Sequence, residues 1–458
     1  MRFSLLPLTA VLFTSCLVGP NYMGAPDEGL PVTWVNALPP ATEEYTLSDW
    51  WRSFGDSQLD NLIETAFRNS PDMVQAALNI NAALSSLRST GSGLFPSASV
   101  NFGGSNRGNY DSSTSHGSWN GGLSASWTPD IWGGTIRSVE AAYANVGSRA
   151  AAAAATRAAL ASGVATTYFS WISNMESLRI AKEQLEFQER TYAVTEQKAA
   201  EGIGMASNLD LAQARATIAS TRARIPQLEA GIRSSENALA LLLGTTVNQI
   251  HLTMPSPATY NRIPKVPVGL PSDLLRRRPD IIRAERELHR ACANVGVSVA
   301  NLFPRLSLTG GTSASAGTDF AFFWQNSAWN LGASVSTTLL NRTQLNEAVR
   351  QSEISYASAM ESYRSTVLSA FKEVEDNLIS YAQKTAQLPE YEASRLANKQ
   401  AAELSLRRYN AGESDFLNVA AAQNQWLSAE LNIISTRQDI RMTLARLCTS
   451  LGGGWKTR

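Results

Sequence analysis

The chain has 458 residues and carries 39 basic and 39 acidic side chains, so its formal net charge is zero. That balance leaves no basic footprint and argues against a nucleic-acid partner. Charged residues make up 17% of the chain, below the roughly 25% of an average soluble domain, which indicates a polar but weakly charged surface.

The first residues, 1–15, are typical of a secretory signal. Arg2 precedes an apolar run at 5–13, and two small residues follow it. Cys16 comes next and resembles the lipidated cysteine of a bacterial lipobox, with phenylalanine where leucine is usual. Leu17 follows the cysteine in place of aspartate, which by the same resemblance favours sorting to the outer membrane. The alternative is an ordinary cleaved signal with an incidental cysteine.

Beyond the signal, the chain repeats itself at one fixed offset of 208 residues. Leu94-Phe95-Pro96 returns as Leu302-Phe303-Pro304, and further matches at the same offset extend to Gly244 and Gly452. One offset over the whole span indicates a tandem duplication, in which one module is used twice. The predicted organisation is an extended, lipidated strap at 16–56, a first repeat at 57–252, a proline-rich linker at 253–271, a second repeat at 272–452 and a tail at 453–458.

Each repeat predicts a helix, two strands, a very long helix, a glycine turn and a returning helix. Proline ends the first helix of each repeat, because it lacks the N–H that the next helical hydrogen bond needs. Glycine in the later turn is expected to adopt a positive φ. The predicted helices lie at about 57–90, 135–200, 272–300 and 343–410, the last with a kink at Pro389, and the returning helices end at Leu243 and Leu451.

The predicted strands alternate between an apolar face and a hydroxyl-rich face. This alternation is clearest at 119–127 and 329–336, and a period of two with unlike faces is typical of a strand between two different solvents. The partner strands are expected near 97–108 and 305–316, with polar loops at 104–118 and 316–327. Four tryptophans are expected near strand ends, as in the aromatic girdles of membrane barrels: Trp119, Trp127, Trp324 and Trp329.

Two repeats supply four amphipathic strands, which are too few to close a barrel. An open sheet edge in lipid leaves backbone groups unpaired at several kcal/mol each, and about eight strands are the practical minimum for closure. We therefore predict a homotrimer, because twelve strands enclose a lumen that eight would fill with side chains. The predicted fold class is an α+β membrane protein with a trimeric 12-strand outer-membrane β-barrel, four strands per chain, continued by a long α-helical barrel.

Several motifs are spread over nearly the whole chain. They are Trp50-Trp51-Arg52-Ser53-Phe54, the Asn-Ser-Pro-Asp segment that ends at Asp72, the duplicated Leu-Phe-Pro and the duplicated glycine turn. Together they resemble the TolC-like outer-membrane factors, in the lipidated, NodT-type branch that works with RND-type efflux pumps. The resemblance implies a passive exit duct in outer-membrane lipid, anchored through Cys16, with a periplasmic adaptor protein and an inner-membrane RND pump as partners. It implies no cofactor, no metal and no catalytic residue.

The resemblance also implies which residues work at the periplasmic tip. Tyr409 and Asp210 would bond across neighbouring helix pairs and hold the entrance shut. The acids that some family members carry farther along the returning helix are Asn418 and Ala421 here, and Asp415 beside the tip would be a gate acid in their place. The adaptor would dock on the tips at Gly204, Leu209, Gly412 and Leu417. The alternative for both aspartates is an ordinary role at a helix N-terminus, where acids are favoured.

Other functions remain open from the residues alone. The same architecture could be the outer-membrane channel of a type I protein-secretion system, and a coiled-coil scaffold could use the long helices without the strands. An enzyme is not expected, because the three histidines are scattered and the one loose dinucleotide-like loop joins two helices. Cys292 and Cys448 are expected to be buried, and Arg276-Arg277-Arg278 is expected to be a solvated basic run.

Overall fold

The structure, a computed structural model, describes most of the chain between residues 17 and 455. The described residues are 17–26, 29, 31, 33–36, 47–109, 112–201, 207–264, 271–317, 319–320, 323–340 and 342–455. Cys16 and Gly204 lie outside these ranges.

Helices account for most of the described residues. In chain order the elements are α1 (Ser57–Asn69), α2 (Pro71–Ser92), β1 (Ser97–Asn109), β2 (Ser112–Trp127), α3 (Gly134–Glu201), α4 (Asn208–Leu242), α5 (Pro257–Tyr260), α6 (Leu274–Arg277), α7 (Pro279–Ala300), β3 (Arg305–Ala316), β4 (Ser327–Ser336), α8 (Arg342–Asn410) and α9 (Phe416–Ser450). Short 3₁₀ turns lie at Leu47–Phe54, Val247–Gln249 and Pro271–Asp273.

The internal duplication is visible in the helix bounds. Helices α2 and α7 have 22 residues each and begin and end 208 positions apart. The same offset relates α4 and α9, which have 35 residues each. The long helices α3 and α8 have 68 and 69 residues. The predicted duplicated module is therefore confirmed.

The first helix of each repeat is broken where a continuous helix was predicted. Ser70 (φ −60°, ψ 128°) separates α1 from α2, and Arg278 (φ −82°, ψ 122°) separates α6 from α7. Both residues precede a proline, whose ring disfavours helical backbone at the residue before it. Proline inside the long helices acts differently, since α8 continues through Pro389 and α4 through Pro226; the kink at Pro389 stays a prediction.

The contacts divide the chain into two compact units. The first comprises Met1–Glu28, Leu78–Ala151 and Ile282–Thr366, and it contains all four strands. The second comprises Gly29–Ala77, Ala152–Ile281 and Val367–Arg458, and it contains the turn between α8 and α9.

The first unit holds one antiparallel sheet with the strand order β1-β2-β3-β4. The loop predicted at 104–118 is wrong, because backbone pairing continues from Ser105 opposite Ser118 to Gly108 opposite Ser115. The many glycines and serines there have low intrinsic strand propensity. They nevertheless extend both strands of the β1–β2 hairpin into the predicted loop. The second connection agrees with its prediction, since β3 ends at Ala316 and β4 begins at Ser327.

The core of the second unit explains the Trp50-Trp51 motif. Both tryptophans are almost completely buried, and Phe54 packs against Phe169 with ring centroids 5.0 Å apart. Asp56 caps α1 by accepting hydrogen bonds from the backbone of Gln58 and Leu59. The motif therefore packs the start of the first repeat against α3.

The two described cysteines, Cys292 and Cys448, are buried, as predicted. Among the described helices, none combines the length and the apolar character needed to cross a membrane.

Candidate functional site

The sheet of the first unit has one hydroxyl-rich face. Serine side chains on β1 and β2 pair across the strands: Ser97 with Ser126 at 2.9 Å, Ser99 with Ser124 at 2.8 Å and Ser105 with Ser118 at 2.9 Å between hydroxyl oxygens. The register extends this face across β3 and β4 through residues such as Ser313 and Asn330. A face of hydroxyl and amide groups suits contact with water, as the alternation predicted.

The opposite face of the sheet is apolar and open. Val100, Trp329, Leu331 and Val335 are exposed by 79%, 76%, 80% and 70%. Exposed apolar surface on this scale marks a contact with a membrane or with another protein. The two faces therefore require two different surroundings, which agrees with the predicted alternation.

Aromatic side chains cluster on this apolar face near the end of β3. Phe102 stacks on Trp119 with ring centroids 6.0 Å apart. Phe320 contacts both of these rings, and Phe323 contacts Phe102. Trp119 does not lie at a strand end as predicted, because β2 already begins at Ser112.

The other three predicted tryptophans lie at or near strand ends. Trp127 is the last residue of β2, Trp329 is the third residue of β4, and Trp324 precedes β4. Their positions suit an aromatic girdle at a membrane interface.

The sheet has two open edges. Among the described residues β1 pairs only with β2, and β4 pairs only with β3. The outer edges of β1 and β4 therefore present backbone N–H and C=O groups that further strands can pair with.

The strap that follows Cys16 is held by α3 of the same unit. The buried Arg137 donates hydrogen bonds to the backbone oxygen of Val18 (3.3 Å) and to Oδ1 of Asn21 (2.6 Å). It also forms an ion pair of 2.8 Å with Glu140. Sequence reasoning missed Arg137, because one arginine at the start of a helix has no distinguishing pattern.

A close backbone contact reinforces this clamp. Gly19 has a φ of +86°, and a Cβ atom there would lie 2.5 Å from Cα of Gly296. The ring of Tyr22 stacks on His289 at 4.4 Å, and Nε2 of His289 lies 2.8 Å from Glu140. The strap is thus fixed at Val18, Gly19, Asn21 and Tyr22, beginning two residues after Cys16.

In the second unit, Asp210 caps its own helix. Its carboxylate accepts a hydrogen bond of 2.9 Å from the backbone N–H of Ser207, and the Ser207 hydroxyl accepts one of 3.4 Å from the N–H of Asp210. This reciprocal pair is a capping box, and it is the ordinary role that the sequence left open. A carboxylate has further lone pairs, so the gate role of Asp210 stays a prediction.

Tyr409 lies in an apolar cluster at the end of α8. It is 4% exposed and packs against Phe416, with ring centroids 5.5 Å apart, and against Ala214 and Val419. Its hydroxyl group makes no hydrogen bond within the described residues. Burial raises the pKa of Tyr409, the neighbouring Thr195 hydroxyl lowers it by less, and the charge of Asp210 raises it again, so the hydroxyl keeps its proton at neutral pH.

The turn between α8 and α9 has the predicted glycine geometry. Gly412 has a φ of +78°, which confirms the expected positive φ there. Lys198, near the end of α3, donates a hydrogen bond of 2.8 Å to the backbone oxygen of Asn410 and fixes the turn. Asp415 is the N-cap residue of α9, but its side chain makes no capping hydrogen bond.

Two predicted docking leucines occupy equivalent positions in the two repeats. Leu209 and Leu417 lie in the first turns of α4 and α9 and are exposed by 64% and 60%. In the described part of the chain, no group of three or more His, Cys, Asp or Glu side chains could hold a metal ion.

Both repeats match one known family. A model of the outer membrane efflux protein family matches residues 62–245 and 270–453. The chain belongs to the outer membrane efflux protein family. The two matched ranges are again 208 residues apart, so each repeat is one copy of the family's module. This family consists of channel-type efflux proteins, in agreement with the resemblance seen in the sequence.

Members of the outer membrane efflux protein family match nearly the whole chain. It is 32% identical to the pyoverdine export outer membrane protein OpmQ of Pseudomonas putida over 99% of this chain and 97% of that protein. It is 30% identical to the probable outer membrane lipoprotein SilC of Salmonella typhimurium over 92% and 91%. The solved structure of the outer-membrane channel OprN matches with a TM-score of 0.85 at 28% identity, covering 96% of this chain and 100% of that one. The predicted fold class is therefore confirmed for the single chain, which has the fold of a solved outer-membrane channel and contributes four strands.

Proposed function

We propose that three copies of this chain form the outer-membrane exit duct of a tripartite RND-type efflux pump, which conducts small molecules passively from the periplasm to the outside. The sheet of the first unit carries this proposal. It has a hydroxyl-rich face for water, an apolar face for lipid and two open edges that only further strands can satisfy in a membrane. The family relatives are named for export, which favours efflux over a type I secretion channel.

The internal duplication supplies a register between neighbouring copies. Within one chain, β2 of the first repeat pairs with β3 of the second, and Trp127 lies opposite Leu308. The corresponding contact between copies joins β4 of one copy to β1 of the next. Trp127 of the first repeat corresponds to Val335 of the second, and Leu308 of the second corresponds to Val100 of the first. The pairing of Trp127 with Leu308 therefore places Val335 of one copy opposite Val100 of the next. Both side chains lie on the apolar face, so that face continues across the junction.

A second contact supports the same junction. Trp132 stacks on Phe303 at 4.6 Å, and its Nε1 donates a hydrogen bond of 2.7 Å to the backbone oxygen of Pro304. The counterparts of Trp132 and Phe303 in the other repeat are Leu340 and Phe95, which are exposed by 86% and 71%. We assign these two exposed side chains to each other across neighbouring copies.

A cysteine pair tests the assembly and its register. We expect the double variant Val100→Cys and Val335→Cys to form disulfide-linked dimers and trimers on non-reducing gels, because opposed antiparallel residues lie about 4.5–5.5 Å apart at Cα, within disulfide range. The native Cys292 and Cys448 are buried and contribute little background.

The matched control pairs Val100→Cys with Leu331→Cys on the same strand and face. Leu331 lies four residues from Val335, or about 13 Å along β4, so this pair should stay uncrosslinked. If Phe102→Cys with Val335→Cys gave the main crosslinked product, the register between copies would be shifted by two residues from the proposed one. Absence of crosslinked chains from every pair would contradict the assembly itself.

The helix turns of the second unit are the proposed contact with the pump. Leu209 and Leu417 expose apolar side chains at equivalent positions, and such exposed apolar residues mark contact sites when they are grouped. We assign them, with Gly204 and Gly412 of the adjoining turns, to docking of a periplasmic adaptor protein. The adaptor would link the duct to an inner-membrane RND pump, and Tyr409, Asp210 and Asp415 would form the gate.

Cys16 is the proposed lipid anchor of the duct. One acyl chain alone binds a membrane weakly, so here it would assist a protein that already contacts lipid through its sheet. The support is the lipobox resemblance, the relative named as a probable lipoprotein and the strap clamp at Arg137, which holds the following residues against α3.

Deletion and complementation in the host organism test this function. We expect deletion of the chain to raise intracellular accumulation of a fluorescent pump substrate, and the wild-type chain to restore it. The double variant Leu209→Asp and Leu417→Asp should reach the outer membrane and fail to restore efflux, because charge removes the apolar docking surface. Labelling the same cells with palmitate, with Cys16→Ser as control, reports the anchor. Loss of a secreted protein without a change in accumulation would favour the secretion channel instead.

A further inference from the structure

A charged cavity lies among α3, α8 and α9 within the second unit. Its volume is about 210 Å³. Its charged lining residues come from distant parts of the chain: Glu176, Arg179, Arg395, Glu430, Arg437 and Arg441. No spacing in the sequence predicts this group, because only the packing of three long helices brings it together.

Three of the four arginines are neutralised by carboxylates. Arg179 lies 2.6 Å from Glu176, Arg395 lies 3.5 Å from Glu430, and Arg437 lies 2.8 Å from Glu392 outside the cavity lining. The two acids that line the cavity are thus already engaged by arginine.

Arg441 is different. It is 4% exposed, no carboxylate of the described residues lies within ion-pair distance, and its Nε has no hydrogen-bond partner there. Its guanidinium group lies 5.7 Å from the ring centroid of Tyr260 and 6.0 Å from that of Phe169. Burial, together with the charge of Arg437, lowers the pKa of Arg441 to about 10, so it remains charged at neutral pH.

A buried charge without a counter-charge is costly to maintain. The faces of the two aromatic rings offset only part of this cost, because a cation–π contact is weak compared with the desolvation of a buried charge. The charge of Asp56 also acts on Arg441, but that carboxylate lies beyond ion-pair distance and accepts from the Tyr168 hydroxyl. The open volume beside Arg441 is therefore a place where a closer counter-charge can bind.

We propose that this cavity binds a small free oxyanion of the phosphate or carboxylate class, with Arg441 as its principal ligand. A guanidinium group presents a planar fork of donors that matches the oxygens of such anions. Arg437 and Arg395 line the same cavity and add positive charge around the site. An anion there would connect α3, α8 and α9, so its binding should stabilise the helical part of the chain.

Titration of the purified full-length protein with inorganic phosphate tests the site. We expect saturable binding by calorimetry and a melting temperature that rises with phosphate concentration, relative to sodium chloride at equal ionic strength. Arg441→Gln should weaken phosphate binding at least about tenfold. The matched control, Arg222→Gln, removes an exposed arginine paired with Glu189 and should leave binding unchanged. A parallel titration with acetate distinguishes the phosphate class from the carboxylate class.

A second variant keeps the test decisive if Arg441→Gln does not fold. Ile434 lines the cavity, and Ile434→Trp should fill the space while Arg441 stays in place. We expect this variant to lose phosphate binding as well. The proposal is overturned if the wild type shows no saturable binding of either anion, or if Ile434→Trp binds as tightly as the wild type. Neither outcome affects the efflux proposal, which rests on the sheet of the first unit.

Discussion

Replacing Leu331 with arginine is expected to prevent assembly of the chain in the outer membrane. Leu331 lies on the apolar face of β4 and is 80% exposed. A lipid-facing arginine in a membrane strand costs about 2–4 kcal/mol at the midplane. Because each assembled duct would carry three copies, the total penalty reaches about 6–12 kcal/mol, comparable with the whole stability of a typical domain.

The adjacent residue provides the matched control. Asn330 precedes Leu331 on β4, so its side chain lies on the opposite, hydroxyl-rich face. The same arginine at Asn330 should therefore be tolerated, because that face is proposed to contact water. The measurement is the amount of each variant in outer-membrane fractions, together with its migration as an oligomer in unheated gel samples. Equal assembly of both variants would show that the two faces are wrongly assigned.

The two faces of the sheet could be predicted because side-chain direction alternates strictly along a strand. Leu331, Ala333 and Val335 on one face, and Asn330, Ser334 and Ser336 on the other, already show it in the sequence. The length of the first hairpin could not be predicted. Residues 104–118 are mostly glycine, serine and asparagine, which are typical of loops, and only cross-strand pairing reveals that they continue β1 and β2.

For the helices too, the sequence predicts some features locally, whereas other features depend on contacts with distant parts of the chain. The repeat offset predicted matching helices, but a hydrophobic pattern continues across Pro71 and Pro279, so the breaks at Ser70 and Arg278 were not expected. The prediction of a solvated basic run at 276–278 is wrong for Arg278. That side chain is 8% exposed, donates to the backbone oxygen of Ser450 at 2.7 Å and pairs with Glu373 at 2.8 Å. A third partner, Asp280, is only two residues away, but Ser450 and Glu373 lie too far along the chain for any local pattern.

The candidate gate shows what sequence alone leaves open. The resemblance named Asp210 and Tyr409. The structure packs Tyr409 against Ala214 and Phe416 at the end of α8, and it brings Asp210, at the start of α4, near enough for its charge to raise the pKa of Tyr409. The structure also shows that Asp210 and Ser207 form a capping box. No sequence motif tells whether such an aspartate serves as a cap, as a gate residue or as both. Distinguishing the two roles therefore needs variants that remove one without the other.

Replacing Tyr409 with phenylalanine is expected to raise the leak conductance of the reconstituted duct several-fold without lowering its melting temperature. The hydroxyl group is buried and makes no hydrogen bond within the described chain, so its removal leaves no partner unsatisfied. The ring would still pack against Phe416. The lost interaction would be a hydrogen bond to Asp210 on the neighbouring helix pair, which would form in the closed entrance and is absent from the described contacts. Single-channel recording in planar bilayers measures the leak.

Asp210→Ala should raise the leak by a similar factor, but it also removes the helix cap. Ser207→Ala separates the two effects, because it removes the capping hydroxyl at a cost of about 1 kcal/mol and keeps the Asp210 carboxylate, which still accepts from the backbone N–H of residue 207. A gate predicts that Tyr409→Phe and Asp210→Ala leak while Ser207→Ala conducts like the wild type. Equal leak in Ser207→Ala and Asp210→Ala would assign the effect to the cap. Wild-type conductance in both Tyr409→Phe and Asp210→Ala would remove these residues from the gate, because a closed entrance that depends on their hydrogen bond cannot survive its loss unchanged.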